Sequence, residues 1–334
     1  MEPFDDQTKL VRALFAATEE LREGAWGGFL ALLKSVAQAD GVALVLDQAN
    51  RSTAWQEGPC PDLGAETRQN LRFDRVYAQD NLPRGGVVDG HFRAVKVRGE
   101  SGRQISLNLF RAPHQRDFRG TDGQLLSALV PFLGQAVDLW RARIEERDRA
   151  ALSESLLGAL GGGWVRFDVS GAILAVSPLA KTWGDTTGLR LEERRRLEFS
   201  EGELAQAWRT AFAKALAGEA PAPMVLDEEP MAEMVLRREE LAGDTTVVGA
   251  LRMAHSAAGI PAEVLAGHFG ISQSEARLAA LICDGFSLKE AALALGWTEE
   301  STRTCSKAIF ARMGAHGQPA LVRRMSQSAL WYQA

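Results

Sequence analysis

Only three cysteines, Cys60, Cys283 and Cys305, occur in 334 residues, and they lie far apart. The five histidines, His91, His114, His255, His268 and His316, share no ligand-like spacing with them, so no structural metal site is expected. No apolar run approaches the roughly twenty residues that cross a bilayer. The N-terminus, MEPFDDQTKL, is acidic rather than basic-then-apolar. A cytoplasmic protein without a membrane partner is the expectation. There is no G-x-x-x-x-G-K-S/T, no G-x-S-x-G and no H-E-x-x-H, and Gly161–Gly163 is not followed by Lys-Ser/Thr. With no paired catalytic groups, the chain is not expected to be an enzyme.

A hydrophobic fraction of 46% supplies ample core, and the length suggests two or three domains. Spacing is most informative between 271 and 325. Ser272 is followed three residues later by Glu275, and Ser287 by Glu290; each pair is a capping box that satisfies the first amide donors of a helix. Ala276, Leu278, Ala279, Leu281 and Ile282 make the apolar stripe of the first helix, Gln273 to about Asp284. Ala291, Ala292, Leu293 and Leu295 fill a second, ending at Gly296. Thr298 then caps a third. Two short helices joined by a Gly-containing turn are the helix-turn-helix layout. Ile309, Phe310 and Met313 face the core, which leaves Ser301, Arg303, Thr304 and Lys307 outward. Short hydroxyls with Arg and Lys suit phosphate oxygens and guanine edges in a major groove.

These motifs, S-x-x-E, D-G-x-S-x-K-E-A-A, L-G-W-T, S-T-R-T-C and I-F-A-R-M-G-A, resemble the LuxR/GerE-type four-helix DNA-binding domain over about Leu265 to Gln327. The resemblance implies a recognition helix from Thr298 to Met313 and a fourth helix, roughly 318–327, for dimerisation. It also implies DNA contacts at Ser301, Arg303, Lys307 and Arg312; Thr304 and the cap Thr298 complete the candidate set. Cys305 stands where the family usually has a backbone-contacting His, and Thr302 where it usually has a buried aliphatic. From His268 onward seven basic residues face five acidic ones in a chain of net charge −5, a small local excess. Affinity that depends on neutralised phosphates therefore calls for a dimer.

Upstream, residues 8–39 read as two helices or one interrupted at Gly27-Gly28. Val42–Leu46 and Ser52–Glu57 form a hairpin across Asp47–Asn50, and His91–Val97 and Gln104–Arg111 a second pair across Gly99–Gly102. A long helix carries Leu125, Leu129, Phe132, Leu133, Val137 and Trp140, with Pro131 expected to kink it and Leu152, Leu156 and Leu160 continuing an apolar seam, so that it connects modules or packs as an ordinary helix. After Gly161–Gly163 come a hairpin, Trp164–Val169 with Ala172–Ser177, a helix opened by Pro178, helical residues 203–217 and three strands. The first order is similar in pattern to GAF-type or PAS-type domains, and V-R-F-D-V-S-G-A-I-L-A-V-S-P-L-A looks like a PAS opening. That likeness places Trp164 and Trp183 in the second core. With no Cys for flavin or His for haem there, no cofactor is expected.

The expected fold class is α+β: two small antiparallel-sheet, GAF/PAS-like sensory modules joined by a long helix, then an all-α four-helix helix-turn-helix domain. The boundaries are 1–121, 122–160 for the helix, 161–255, and 256–334, with 254–261 as linker. In the first module Trp55, Phe73, Tyr77, His91, Ser106 and Asn108 are the candidates to contact a small molecule, since buried Tyr or Asn needs a partner that a ligand supplies. The expected function is a ligand-responsive, sequence-specific DNA-binding transcription regulator acting as a homodimer on double-stranded DNA, with RNA polymerase a further candidate contact. The alternative is control by a protein partner without a metabolite.

Overall fold

The computed structural model describes residues 3–21, 24–49, 51–83, 89–200, 202–228, 231–241 and 243–333. The chain packs as two units, 1–149 and 150–334.

In the first unit, α1 (Pro3–Ala17) and α2 (Gly27–Val36) precede β1 (Gly41–Gln48) and β2 (Arg51–Glu57). The Gly-rich interruption thus separates two helices. Of the turn residues between β1 and β2, Asn50 lies outside the described residues. Next come α3 (Ala65–Asn70), β3 (Val76–Ala78), β4 (His91–Arg98), β5 (Gln104–Arg111) and α4 (Gly120–Ala159), whose last ten residues belong to the second unit. The strands form an antiparallel sheet in the order β2-β1-β5-β4-β3. One face carries Leu44, Leu46, Val95, Val97, Ile105, Leu107 and Leu109. Leu10 and Leu14 of α1, Phe29 and Leu33 of α2, and Leu129 and Leu133 of α4 cover it. At about 1.5–3 kcal/mol for each large side chain removed from water, this is the dominant core of the unit. The other face is buried too, by Cys60, Leu63 and Leu71. Burial on both sides is why β1 reads as an apolar run, whereas β5 alternates apolar residues with the buried Ser106 and Asn108.

In the second unit, β6 (Gly162–Phe167) and β7 (Ile173–Val176) form the expected hairpin, with a register shift at Arg166/Phe167. Ser177 caps α5 (Pro178–Thr187), with the proline in the first turn, where its missing amide costs nothing. Then follow α6 (Gly202–Leu216), β8 (Met224–Glu228), β9 (Met231–Leu241) and β10 (Asp244–Met253). The strand order is β7-β6-β10-β9-β8, the same order as in the first unit displaced by five strands. Two sequences without a convincing repeat thus make one topology twice.

Five helices close the chain: α7 (Ala262–Phe269), α8 (Gln273–Cys283), α9 (Leu288–Leu295), α10 (Glu299–Arg312) and α11 (Gln318–Ser326). The last four are those expected, and α7 is an addition before them. Residues 254–261, read as a linker, are instead docked. Asp284, at the C-terminal end of α8, accepts hydrogen bonds from Ser256 Oγ at 2.7 Å and Ala257 N at 2.6 Å. Ala257 and Ile260 sit in the helical core.

Candidate nucleic-acid interface and ligand-facing residues

Both capping boxes form. Ser272 N donates to Glu275 Oε2 at 2.7 Å and Glu275 N to Ser272 Oγ at 3.2 Å; Ser287 and Glu290 repeat the pattern at 2.8 and 3.3 Å. Gly296, at φ 68°, ends α9 in the left-handed conformation that glycine adopts without penalty. Thr298 then caps α10 by accepting from Ser301 N at 3.2 Å.

The periodicity of α10 divides it cleanly. Thr302, Ser306, Ile309 and Met313 are buried at spacings of three and four, whereas Ser301, Arg303, Thr304 and Lys307 are exposed together with Glu299 and Glu300. Thr302 is accommodated because its hydroxyl donates to Thr298 O at 3.0 Å, so no polar group is stranded in the core. Arg303 lies 3.9 Å from Glu299 with both side chains in water, a pairing worth about 0–1 kcal/mol that leaves the guanidinium accessible. Lys307 has no ion pair among the described residues. Thr304 Oγ1 donates to Glu300 O. Arg312 is placed differently from the others: its guanidinium is paired with Glu275, tying the last turn of α10 to the first turn of α8. Burial pushes the Glu275 carboxyl up, but the Ser272 hydrogen bonds and the Arg312 charge outweigh it and hold the group below the usual carboxylate range.

Cys305 is half-buried, and burial raises its thiol pKa, with Glu275 adding to the rise and Arg312 opposing it. That is the reverse of a reactive thiolate. Cys283 is pushed up to about 11 and Cys60 to about 12 by burial.

In the first unit the six ligand candidates fall on different surfaces. Ser106 and Asn108 point away from the helices, on the face that also buries Tyr77. Asn108 is flanked by Ala43 on one neighbouring strand and Ala94 on the other, and Ser106 by Val45 and Lys96. Ser106 Oγ and Asn108 Oδ1 are both buried with no hydrogen-bond partner among the described residues. The Tyr77 hydroxyl oxygen accepts from Arg72 N at 2.9 Å, just past α3. Trp55 faces the helices instead, in an edge-to-face cluster with Trp26 and Trp140 at 6.3 and 5.3 Å. His91 stands at the rim, its Nε2 2.9 Å from Gln115 O. Phe73 lies beneath the Lys96 and Arg98 cations, each 4.5 Å from the ring centre.

Two of the buried cations lie beside the Ser106–Asn108 face and escaped the sequence reading. Lys96 donates to Arg68 O and Gln69 O at 3.0 and 2.9 Å, and its desolvation lowers its pKa. Arg68 pairs with Asp47 at 2.8 Å and also with Asp62. Together they fasten α3 over the Ser106–Asn108 face. The signal available was a Lys inside an otherwise alternating strand, which demands a buried partner.

Among the described residues no helix is long and apolar enough to cross a membrane, and no cluster of metal-ligating side chains occurs. No protein-family model matches the chain, and no curated protein does. Among solved structures, the E. coli DhaR(N)–DhaL complex is similar at 15% identity, covering 72% of this chain and 87% of that one, with a TM-score of 0.33. The phage VqmA–DPO complex is similar at 15% identity over 55% and 92% of the two chains, TM-score 0.22. The Vibrio cholera VqmA–ligand–DNA complex is similar at 12% identity over 54% and 88%, TM-score 0.26. Likenesses this distant carry nothing beyond their own description.

Proposed function

We propose that the chain is a DNA-binding transcription regulator that acts as a homodimer and responds to a small molecule held by the first unit. The carrying observation is α10: Ser301, Arg303, Thr304 and Lys307 share one exposed face of a helix whose opposite side is locked into the core behind a capped tight turn. A helix presented this way fits a major groove, and its hydroxyl and cationic side chains match phosphates and base edges. A dimer is supported by the exposed Leu152 and Leu156 of α4 and Leu160 just after it, at 60%, 44% and 37% exposure and spaced by four. Two recognition helices so joined would meet half-sites about one helical turn apart. Ligand response is supported by the unpartnered Ser106 and Asn108 atoms on a covered face, which a bound molecule would satisfy. Such a molecule shifts DNA affinity only as far as it prefers one arrangement of the dimer.

Selection from a random duplex library with the purified full chain, followed by salt titration of the winning sequence, is the test. A reproducible motif bound about tenfold or more weaker by Arg303→Ala/Lys307→Ala, with a shallower salt dependence, is the expected result. Binding that survives the double substitution would remove α10 as the reader.

A further inference from the structure

The two sheets end on four strands, β2 and β3 in the first and β7 and β8 in the second. Three of these edges are blunted. β3 is only three residues long. β7 is already met by the segment after α5, where Ile173 N donates to Arg195 O at 2.8 Å and Arg194 N to Ile173 O at 2.7 Å. β8 carries a register irregularity between Val225 and Asp227 and ends on two acidic residues, Asp227 and Glu228. Shortness, cover, bulges and charge are the devices that keep sheets from pairing edge to edge. β2 has none of them: its seven residues hold no proline or lysine and run in unbroken register with β1 from Arg51 to Glu57.

Hydrogen-bond alternation fixes which groups this edge offers. Gly99 N donates to Arg103 O at the turn, so β4 and β5 bond through their odd-numbered residues and β5 turns its even-numbered ones to β1. Carried across the registers of β5 with β1 and of β1 with β2, this leaves the amide and carbonyl groups of Ser52, Ala54 and Gln56 pointing outward. All three residues are exposed, and no backbone hydrogen bond reaches them from outside the sheet among the described residues.

The edge is also complementary to itself. Set against an antiparallel copy centred on Ala54, Arg51 faces Glu57, Ser52 faces Gln56, Thr53 faces Trp55 and Ala54 faces Ala54. The residues with outward backbone groups thereby meet one another and exchange both bonds, while Arg51 and Glu57 fall at the closer, non-hydrogen-bonded positions at either end. Neither charge is otherwise committed: Arg51 has no ion pair among the described residues, and Glu57 has only Lys34 at 3.9 Å. A parallel neighbour would set Arg51 against Arg51, and a slip of two residues would set it against Trp55.

We infer that β2 is an interface between two copies of this chain, which join their first sheets into one continuous sheet through a two-fold axis at Ala54. The interface is separate from the α4 leucines and independent of DNA binding. A strand pair alone is small beside the roughly 1,200–2,000 Å² of a stable interface, so its formation is read through its dependence on concentration.

Amide hydrogen exchange of the full chain, resolved to single residues, is measured at low and high protein concentration beside sedimentation velocity. The Ser52, Ala54 and Gln56 amides should gain about tenfold or more protection as the dimer forms, whereas those of Thr53 and Trp55, bonded to β1, should be protected throughout. Ala54→Lys sets like charges opposite each other at the axis and should abolish the gain and weaken association about tenfold; Ala54 is exposed, so the fold is kept. Arg51→Glu and Glu57→Arg should each weaken association, and the two together should restore it. In a Leu152→Glu/Leu156→Glu chain the gain should move to higher concentration without being lost, which separates failure of this edge from failure of the α4 seam. The inference is overturned if the three amides exchange equally at both concentrations or if Ala54→Lys associates like wild type. It is equally overturned if the double reversal associates no better than the single ones, or if protection appears only with another protein bound.

Discussion

Replacing Glu275 with Gln isolates one interaction that holds α10 in place. Gln still fills the third position of a capping box, so the bond from Ser272 N is retained and only the charge facing Arg312 is removed. The Glu275 side chain is 9% exposed, but Arg312 is 54% exposed, so solvent screens the pair and its value is about 1 kcal/mol, the top of the surface range. That corresponds to roughly a fivefold rise in local opening. Hydrogen exchange of the α8 and α10 amides in the full chain measures it directly, since it reports local rather than global unfolding. The pH dependence fixes the cause. Because the folded carboxyl titrates below its ordinary value of 4.5, its stabilisation is complete above that value and is lost as pH falls through the folded pKa. Wild type and Glu275→Gln should therefore differ at pH 7, and the difference should shrink as pH is lowered from 4.5 through the folded pKa. Equal protection at pH 7, or a gap that does not narrow with acid, would refute the ion pair as the source. Duplex binding adds a second reading: if Arg312 is a DNA contact, freeing it from Glu275 strengthens binding and Arg312→Ala weakens it.

Asn108→Leu should stabilise the first unit by about 1 kcal/mol, because a buried carbonyl without a donor is removed, while abolishing any ligand response; urea unfolding monitored by Trp fluorescence and a ligand titration check the two halves. Cys60, with its thiol near 12, should resist iodoacetamide at pH 8 in the native chain and react once it is denatured, as mass spectrometry reads peptide by peptide. Cys305→Ser should leave duplex binding unchanged under reducing conditions, and oxidant-sensitive binding that disappears in this variant would contradict the raised thiol. Leu152→Glu/Leu156→Glu should shift the sedimenting species from dimer to monomer; an unchanged dimer would move the interface elsewhere.

Local signals carried much of this fold. Capping boxes, the turn at Gly296 and the hairpin turns act within a few residues, so the order of α8 to α11 and the hairpins of both sheets were legible in the chain itself, while the order of strands across each sheet was not. What failed to show was long-range. Trp55 and Ser106 lie on strands flanking or within one sheet, yet only the register, with Leu44 opposite Trp55 and Val45 opposite Ser106, sends them to opposite faces. Arg312 looked like another outward cation because its partner lies 37 residues earlier.

Asp284 gives the connection between the second sheet and the C-terminal helices a mechanical character. Strand β10 ends at Met253, and three residues later the chain is clamped to the end of α8 by the Ser256 and Ala257 hydrogen bonds. From the other end of α8, Glu275 grips Arg312 at the end of α10. A connection held this way has little slack in which a displacement of β10 could be absorbed before it reaches α8. Inserting a few glycines after Met253 would restore that slack.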